Sequence, residues 1–123
     1  MANRFIAEVD APEFGDGFTI RLDMDGHARL ESKDGPFDFA ARMSVGLAVM
    51  SSTYIKLFLS VALRGPDGAV VKSVPEITPP LLPIAEKCLD AWCLFREGKD
   101  AETVRADNEN KATEANPTKA TKA

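Results

Sequence analysis

The chain is poor in the residues that bond-making chemistry most often uses. It has one histidine, His27, and two cysteines, Cys88 and Cys93. A four-ligand zinc site would need a Cys-x-x-Cys pair or more imidazoles, and the chain has neither. Five residues apart on one helix, the two cysteines would stand about 140° apart around the axis, which forbids a bridge between them. They are expected as free core or surface thiols in a reducing compartment. Gly-x-Ser-x-Gly is absent, so no nucleophile elbow exists for His27 to serve, and it reads as a half-exposed helix histidine. Gly15-Asp16-Gly17 lacks a third glycine and precedes a strand, so it is no phosphate loop. Asp23-Met24-Asp25-Gly26 resembles the middle of a calcium loop, but Arg21 and Ser32 stand where the two outer carboxylates belong. The acidic residues show no spacing suited to general acid–base work. The chain is therefore read as non-enzymatic, with no catalytic residue, cofactor or metal.

Positive charge is also scarce. Fifteen Lys and Arg face nineteen Asp and Glu, a net charge of −4. Residues 1–97 hold 10 basic and 14 acidic side chains, while residues 98–123 hold five of each, so the whole acidic excess lies in the first segment. Nucleic acids need a basic face to neutralise phosphates, and no such partner is expected. Only one stretch, Ser44 to Leu63, has the length and apolarity of a membrane span, with Lys56 as its single charge. Ser51, Ser52 and Thr53 interrupt it. After that break Thr53, Lys56, Ser60 and Arg64 recur as the polar stripe of an amphipathic helix, which points to a core helix rather than a span. No apolar run follows Met1-Ala2-Asn3-Arg4-Phe5, so no signal peptide is read and a cytoplasmic location is expected.

Apolar residues are plentiful but lie almost entirely before Gly98. Residues 1–98 are expected to form one α+β domain, and residues 99–123 a polar, largely disordered tail with a frayed helix near Ala101 to Ala106. A core this small leaves stability marginal, and a partner or self-association as a homo-oligomer would add to it. Arg4 to Val9 reads as a strand. Phe18 to Asp23 alternates, with Phe18, Ile20 and Leu22 on one side. The two make a β-hairpin across a Gly-rich turn, to be covered by three or four helices.

The first helix is expected over Met24 to Ser32, capped by Asp23 or Asp25 and ended by Asp34-Gly35-Pro36. The second runs from Phe37 towards Met50, with Asp38 and Arg42 as an i,i+4 pair. Gly46 weakens this helix and leaves open a strand through Val45 to Met50. The third spans Ser52 to Leu63, before the turn Arg64-Gly65-Pro66-Asp67-Gly68. An added strand is placed near Val70. The fourth starts at Thr78-Pro79-Pro80, repeats Leu81, Ile84, Cys88, Trp92 and Phe95, and closes at Gly98.

With polar chemistry excluded, large apolar side chains remain. Tyr54 and Phe58 share one helix face; Trp92 and Phe95 share another, with Leu81 at the start of that helix. Core packing is the plain reading. The functional reading makes Tyr54, Phe58, Leu81, Trp92 and Phe95 a partner-binding groove for another protein's helix or strand.

The segment from Phe18 through Thr19-Ile20-Arg21-Leu22-Asp23 to Leu30-Glu31, ending at Gly35, resembles the opening of tail assembly chaperones of tailed bacteriophages and gene transfer agents. In those proteins a strand leads into a short helix ending in Leu-Glu and a glycine, and helices follow much as in Ser52 to Leu63 and Thr78 to Glu97. The similarity covers about residues 3–97. Gly26 and His27 depart from the apolar helix start of the pattern, as does the proline-rich approach Pro75 to Pro83. The resemblance implies a cytoplasmic factor, absent from the finished particle, that coats the helical tape measure protein and recruits tail tube protein. Two other readings stay open. One is a structural tail-completion or head–tail connector component of the virion. The other is a small intracellular bacterial adaptor or regulator.

Overall fold

Alternation at Phe18 to Leu22 becomes the central strand of a small antiparallel sheet. The computed structural model describes residues 2–3, 8–35, 38–77 and 80–115. Its strands are β1 (Ala2–Asn3), β2 (Glu8–Asp10), β3 (Thr19–Arg21) and β4 (Leu63–Arg64), in the order β1-β2-β3-β4. Val9 stands opposite Ile20, and Ile20 opposite Leu63. These three side chains are buried and form one row across the sheet. The hairpin turn contains a 3₁₀ turn, Pro12–Phe14, and closes with Ala11 N–H donating to Phe18 O at 2.9 Å. Residues 4–7 of the first expected strand lie outside the described residues.

The added strand is not near Val70. It is β4, formed where the third helix stops and the chain stays extended at Leu63. Val70 contributes one bridge back to Arg64, and Val71 N–H donates to Leu63 O at 3.0 Å. The turn between them closes as its glycines and proline predict, with Gly68 N–H donating to Gly65 O at 2.9 Å.

Five helices are described. α1 (Met24–Asp34) begins at Asp23, whose Oδ1 accepts Gly26 N–H at 2.7 Å, and ends at Gly35. α2 (Phe39–Ala48) buries Phe39, Met43 and Leu47, four residues apart, so the helical period prevails over the alternative strand through Val45 to Met50. α3 (Ser52–Ala62) is capped by Ser51, whose hydroxyl accepts Tyr54 N–H at 3.4 Å. It buries Ile55, Phe58, Leu59 and Ala62. α4 (Leu82–Glu97) starts later than the Thr78 cap implied; Thr78 and Pro79 lie outside the described residues. Pro83 sits in its first turn, and Gly98 ends it in the left-handed region at φ 73°. α3 and α4 cover the sheet, α2 packs on α4, and α1 packs on α3.

The helix expected near Ala101 to Ala106 is present and runs further than expected, as α5 (Ala101–Ala115). Composition argues correctly that it cannot build a core, but a helix docked on α4 needs none of its own. Alanine, glutamate and lysine favour helix. Asp100 Oδ1 accepts Thr103 N–H at 2.9 Å, Asp90 Oδ1 accepts Ala101 N–H at 3.1 Å, and Lys99 pairs with Asp107. Residues 116–123 lie outside the described residues.

The buried cluster draws on every layer: Val9, Ile20 and Leu63 from the sheet, Phe39 and Met43 from α2, Phe58 from α3, and Cys88 and Trp92 from α4. The architecture is α+β. Among the described residues no single helix is long and apolar enough to cross a membrane. α2 and α3 would qualify only as a pair, and they meet at a 110° bend.

Candidate protein-binding surface

The five aromatic and aliphatic residues singled out as a partner groove do not form one. Phe58 and Trp92 are buried completely or nearly so and meet edge to face at 6.3 Å in the middle of the core. This corrects their assignment to a surface: with helices on both flanks, the largest side chains fill the centre. Phe95 is half-buried and stacks on His27 at 5.3 Å. Tyr54 is half-buried beside Gly46, and Leu81 is half-buried just before α4.

His27 lies among rings. It is parallel to Trp92 at 5.8 Å, edge-on to Phe39 at 5.3 Å, and stacked on Phe95. Its side chain is 21% exposed, with Nδ1 3.5 Å from Glu31 Oε1 one helical turn on. Arg96 covers Trp92, its guanidinium 5.2 Å from the ring centroid. The histidine is thus a wall of an aromatic cluster. Among the described residues no group of three or more His, Cys, Asp or Glu side chains could hold a metal ion. Burial pushes the thiol of Cys88 well above its ordinary range. It also pushes Cys93 up to about 11, with help from Asp90 and Glu97, so both stay protonated at neutral pH.

Among the described residues the exposed large apolar side chains lie elsewhere, and Met24 at the start of α1 is the most exposed of them. Val45 (61% exposed), Val49 (66%) and Met50 (42%) stand out along α2 and its end, and Leu82 (52%) at the start of α4. Sequence reading missed them, although a signal was present. Val45 to Met50 is apolar at every position except Gly46, and a helix that packs on one side can bury only part of such a run.

These residues line two depressions. One, between α2 and α3, is walled by Ala41, Val45, Val49 and Tyr54, with Gly46 at its floor. A methyl group on Gly46 would lie 2.5 Å from Tyr54 Cγ, so the two helices meet there at the closest approach a bare glycine allows. The other is a groove of about 450 Å³ between the end of α2, α4 and the start of α5. It is lined by the apolar side chains of Leu47, Ala48, Met50, Leu82, Ala85 and Leu89 and by the charged Glu86, Asp90, Glu102 and Arg105. A shallower extension runs along α5 past Cys93 and Val104. Burial, and then the neighbouring charges of Asp100, Glu86 and Glu102, hold the Asp90 carboxyl above its ordinary value despite its hydrogen bond from Ala101 N–H.

Comparison with family models, curated proteins and solved structures returned no match. Function must therefore be argued from the surface itself. Apolar linings set among charges are built to cover another apolar surface, and walls made of helices suit a helix better than a strand.

Proposed function

We propose that this chain is a non-enzymatic assembly factor of the tail assembly chaperone kind, acting in the cytoplasm on the tape measure and tail tube proteins of a phage-like tail. The observation that carries the reading is the set of exposed apolar side chains at two depressions, Val45 and Val49 at one and Met50 and Leu82 at the other. A tape measure helix has apolar faces that need shielding until the tube surrounds it. A helix-walled groove can supply that shield. The strand-to-helix opening, with its Asp23 cap and Gly35 stop, supports the same reading through the family resemblance.

Each copy offers a small contact, so single-site affinity should be weak and many copies should act along one rod. Co-expression and pull-down with the tape measure and tube proteins tests the proposal. Recovery of either supports it, and recovery of neither ends it. Mass spectrometry of purified particles separates it from a virion component, which would be present in stoichiometric amount.

A further inference from the structure

We infer that the groove between the end of α2, α4 and the start of α5 seats an amphipathic helix carrying lysines or arginines along the edge of its apolar stripe. This rests on the protein-binding reading above and extends it by fixing the docking place and the partner's charge pattern.

Leu82, exposed at the start of α4, and Met50, exposed just after α2, line the groove together with Leu47 and Leu89. Carboxylates line it too. Glu86 and Asp90 are one turn apart on α4, and Glu102 stands in the first turn of α5. Arg105 is the one cation among the lining residues. Lys87, on α4, pairs with Glu13 at 2.5 Å, and Lys99, just before α5, pairs with Asp107.

Burial is the main cause of the raised Asp90 carboxyl, and repulsion from Asp100, Glu86 and Glu102 adds to it. A cationic edge on the occupant would replace that repulsion with attraction, which makes the charge pattern a selector of partners. The groove is walled by three helices, whose backbone hydrogen bonds run within each helix. It offers no free strand edge, so an extended segment could not pair its main chain here, and an apolar helix face is the mode that remains. A second copy of this chain is a poor occupant. It carries the same net charge of −4, and facing grooves would set the same carboxylates against one another.

Fluorescence anisotropy tests the inference, using the full chain and labelled synthetic helices of about 18 residues, long enough to present several turns. One has leucines at i, i+3, i+4 and i+7 flanked by lysines; a second has glutamates in place of the lysines. The lysine helix should bind about tenfold or more tighter than the glutamate helix, with the gap closing at high salt. Leu82→Asp should weaken the lysine helix about tenfold. The pair Glu86→Lys and Glu102→Lys, both at exposed positions, should reverse the preference while leaving the circular dichroism spectrum unchanged.

Equal binding of the two helices, no binding of either, or indifference to Leu82→Asp would overturn the inference. So would a dimer in sedimentation that Leu82→Asp abolishes, since that would give the groove to a second copy. A charge-blind groove with an intact tape measure pull-down removes only this inference. A selective groove with a failed pull-down removes only the tape measure reading.

Discussion

Trp92 donates its indole N–H to the hydroxyl of Ser44 at 2.8 Å, tying α4 to α2. Phe39 and Phe58 meet the same indole edge-on, at 5.7 and 6.3 Å. One polar contact thus orients a ring that three other elements pack against. Trp92→Ala is expected to cost about 3–5 kcal/mol, as large aromatic deletions do. Ser44→Ala leaves the indole N–H without that partner and should cost about 1–3 kcal/mol. Urea denaturation of both variants measures the two figures.

Asp23 does two things at once. Its Oδ1 caps α1, and its Oδ2 accepts Arg64 Nη2 at 2.8 Å, joining the start of α1 to β4. The Arg64 side chain is only 13% exposed, so losing its partner matters. Asp23→Ala should cost about 1–3 kcal/mol from the lost cap and the stranded guanidinium. The backbone N–H of Gly26, with Arg64 beside it, lowers the Asp23 carboxyl below its ordinary 3.8. Stability from this carboxylate is therefore present above that value and is lost as pH falls through the lower native one. Acid titration of unfolding should be shallower for Asp23→Asn than for the parent.

Asp90 has the opposite sign. Burial and nearby carboxylates raise it, so the folded state holds its proton to higher pH than the unfolded chain does. Stability from this group falls as pH rises through the native value and returns as pH drops towards 3.8. Asp90→Asn keeps an oxygen for Ala101 N–H and removes the charge. It is expected to be neutral or slightly stabilising at pH 7, by less than about 1 kcal/mol for a partly exposed group. Its advantage should shrink on mild acidification. Thermal unfolding at several pH values reads both effects.

Gly46→Ala would help an isolated helix by about 1 kcal/mol. Here the new methyl would come within 2.5 Å of Tyr54 Cγ and 2.8 Å of its Cβ, atoms that cannot swing away. The substitution should instead destabilise by about 1–3 kcal/mol. In a Tyr54→Ala background most of that loss should vanish, which a double-mutant cycle on denaturation midpoints will measure.

That glycine also marks the boundary of what sequence reading could reach. Local physics was readable because it depends on neighbours in the chain. The Asp23 cap, the stops at Gly35 and Gly98, the alternation at Ile20 and Leu22, and the helical periods of α3 and α4 all appear where expected. Tertiary choices were not. Gly46 looked like a weak point of a helix, and only the approach of Tyr54 explains it. Phe58 and Trp92 looked as fit for a groove as for a core, because periodicity gives a face without saying what lies opposite. α5 runs beyond the short helix its composition suggests, with Asp90 and Asp100 fixing its start through single hydrogen bonds. The apolar run Val45 to Met50 signals more apolar surface than one helix face can bury, but which of its side chains stay exposed depends on what packs against α2.

Hydrogen–deuterium exchange of the full chain, alone and with the tape measure protein proposed as its partner, tests the central claim most directly. The account predicts slower exchange along α2 from Val45 onward, in the first turns of α4 from Leu82, and at the start of α5, with α1 and the sheet unchanged. No protection anywhere, or protection confined to the strands β1 to β4, would contradict it.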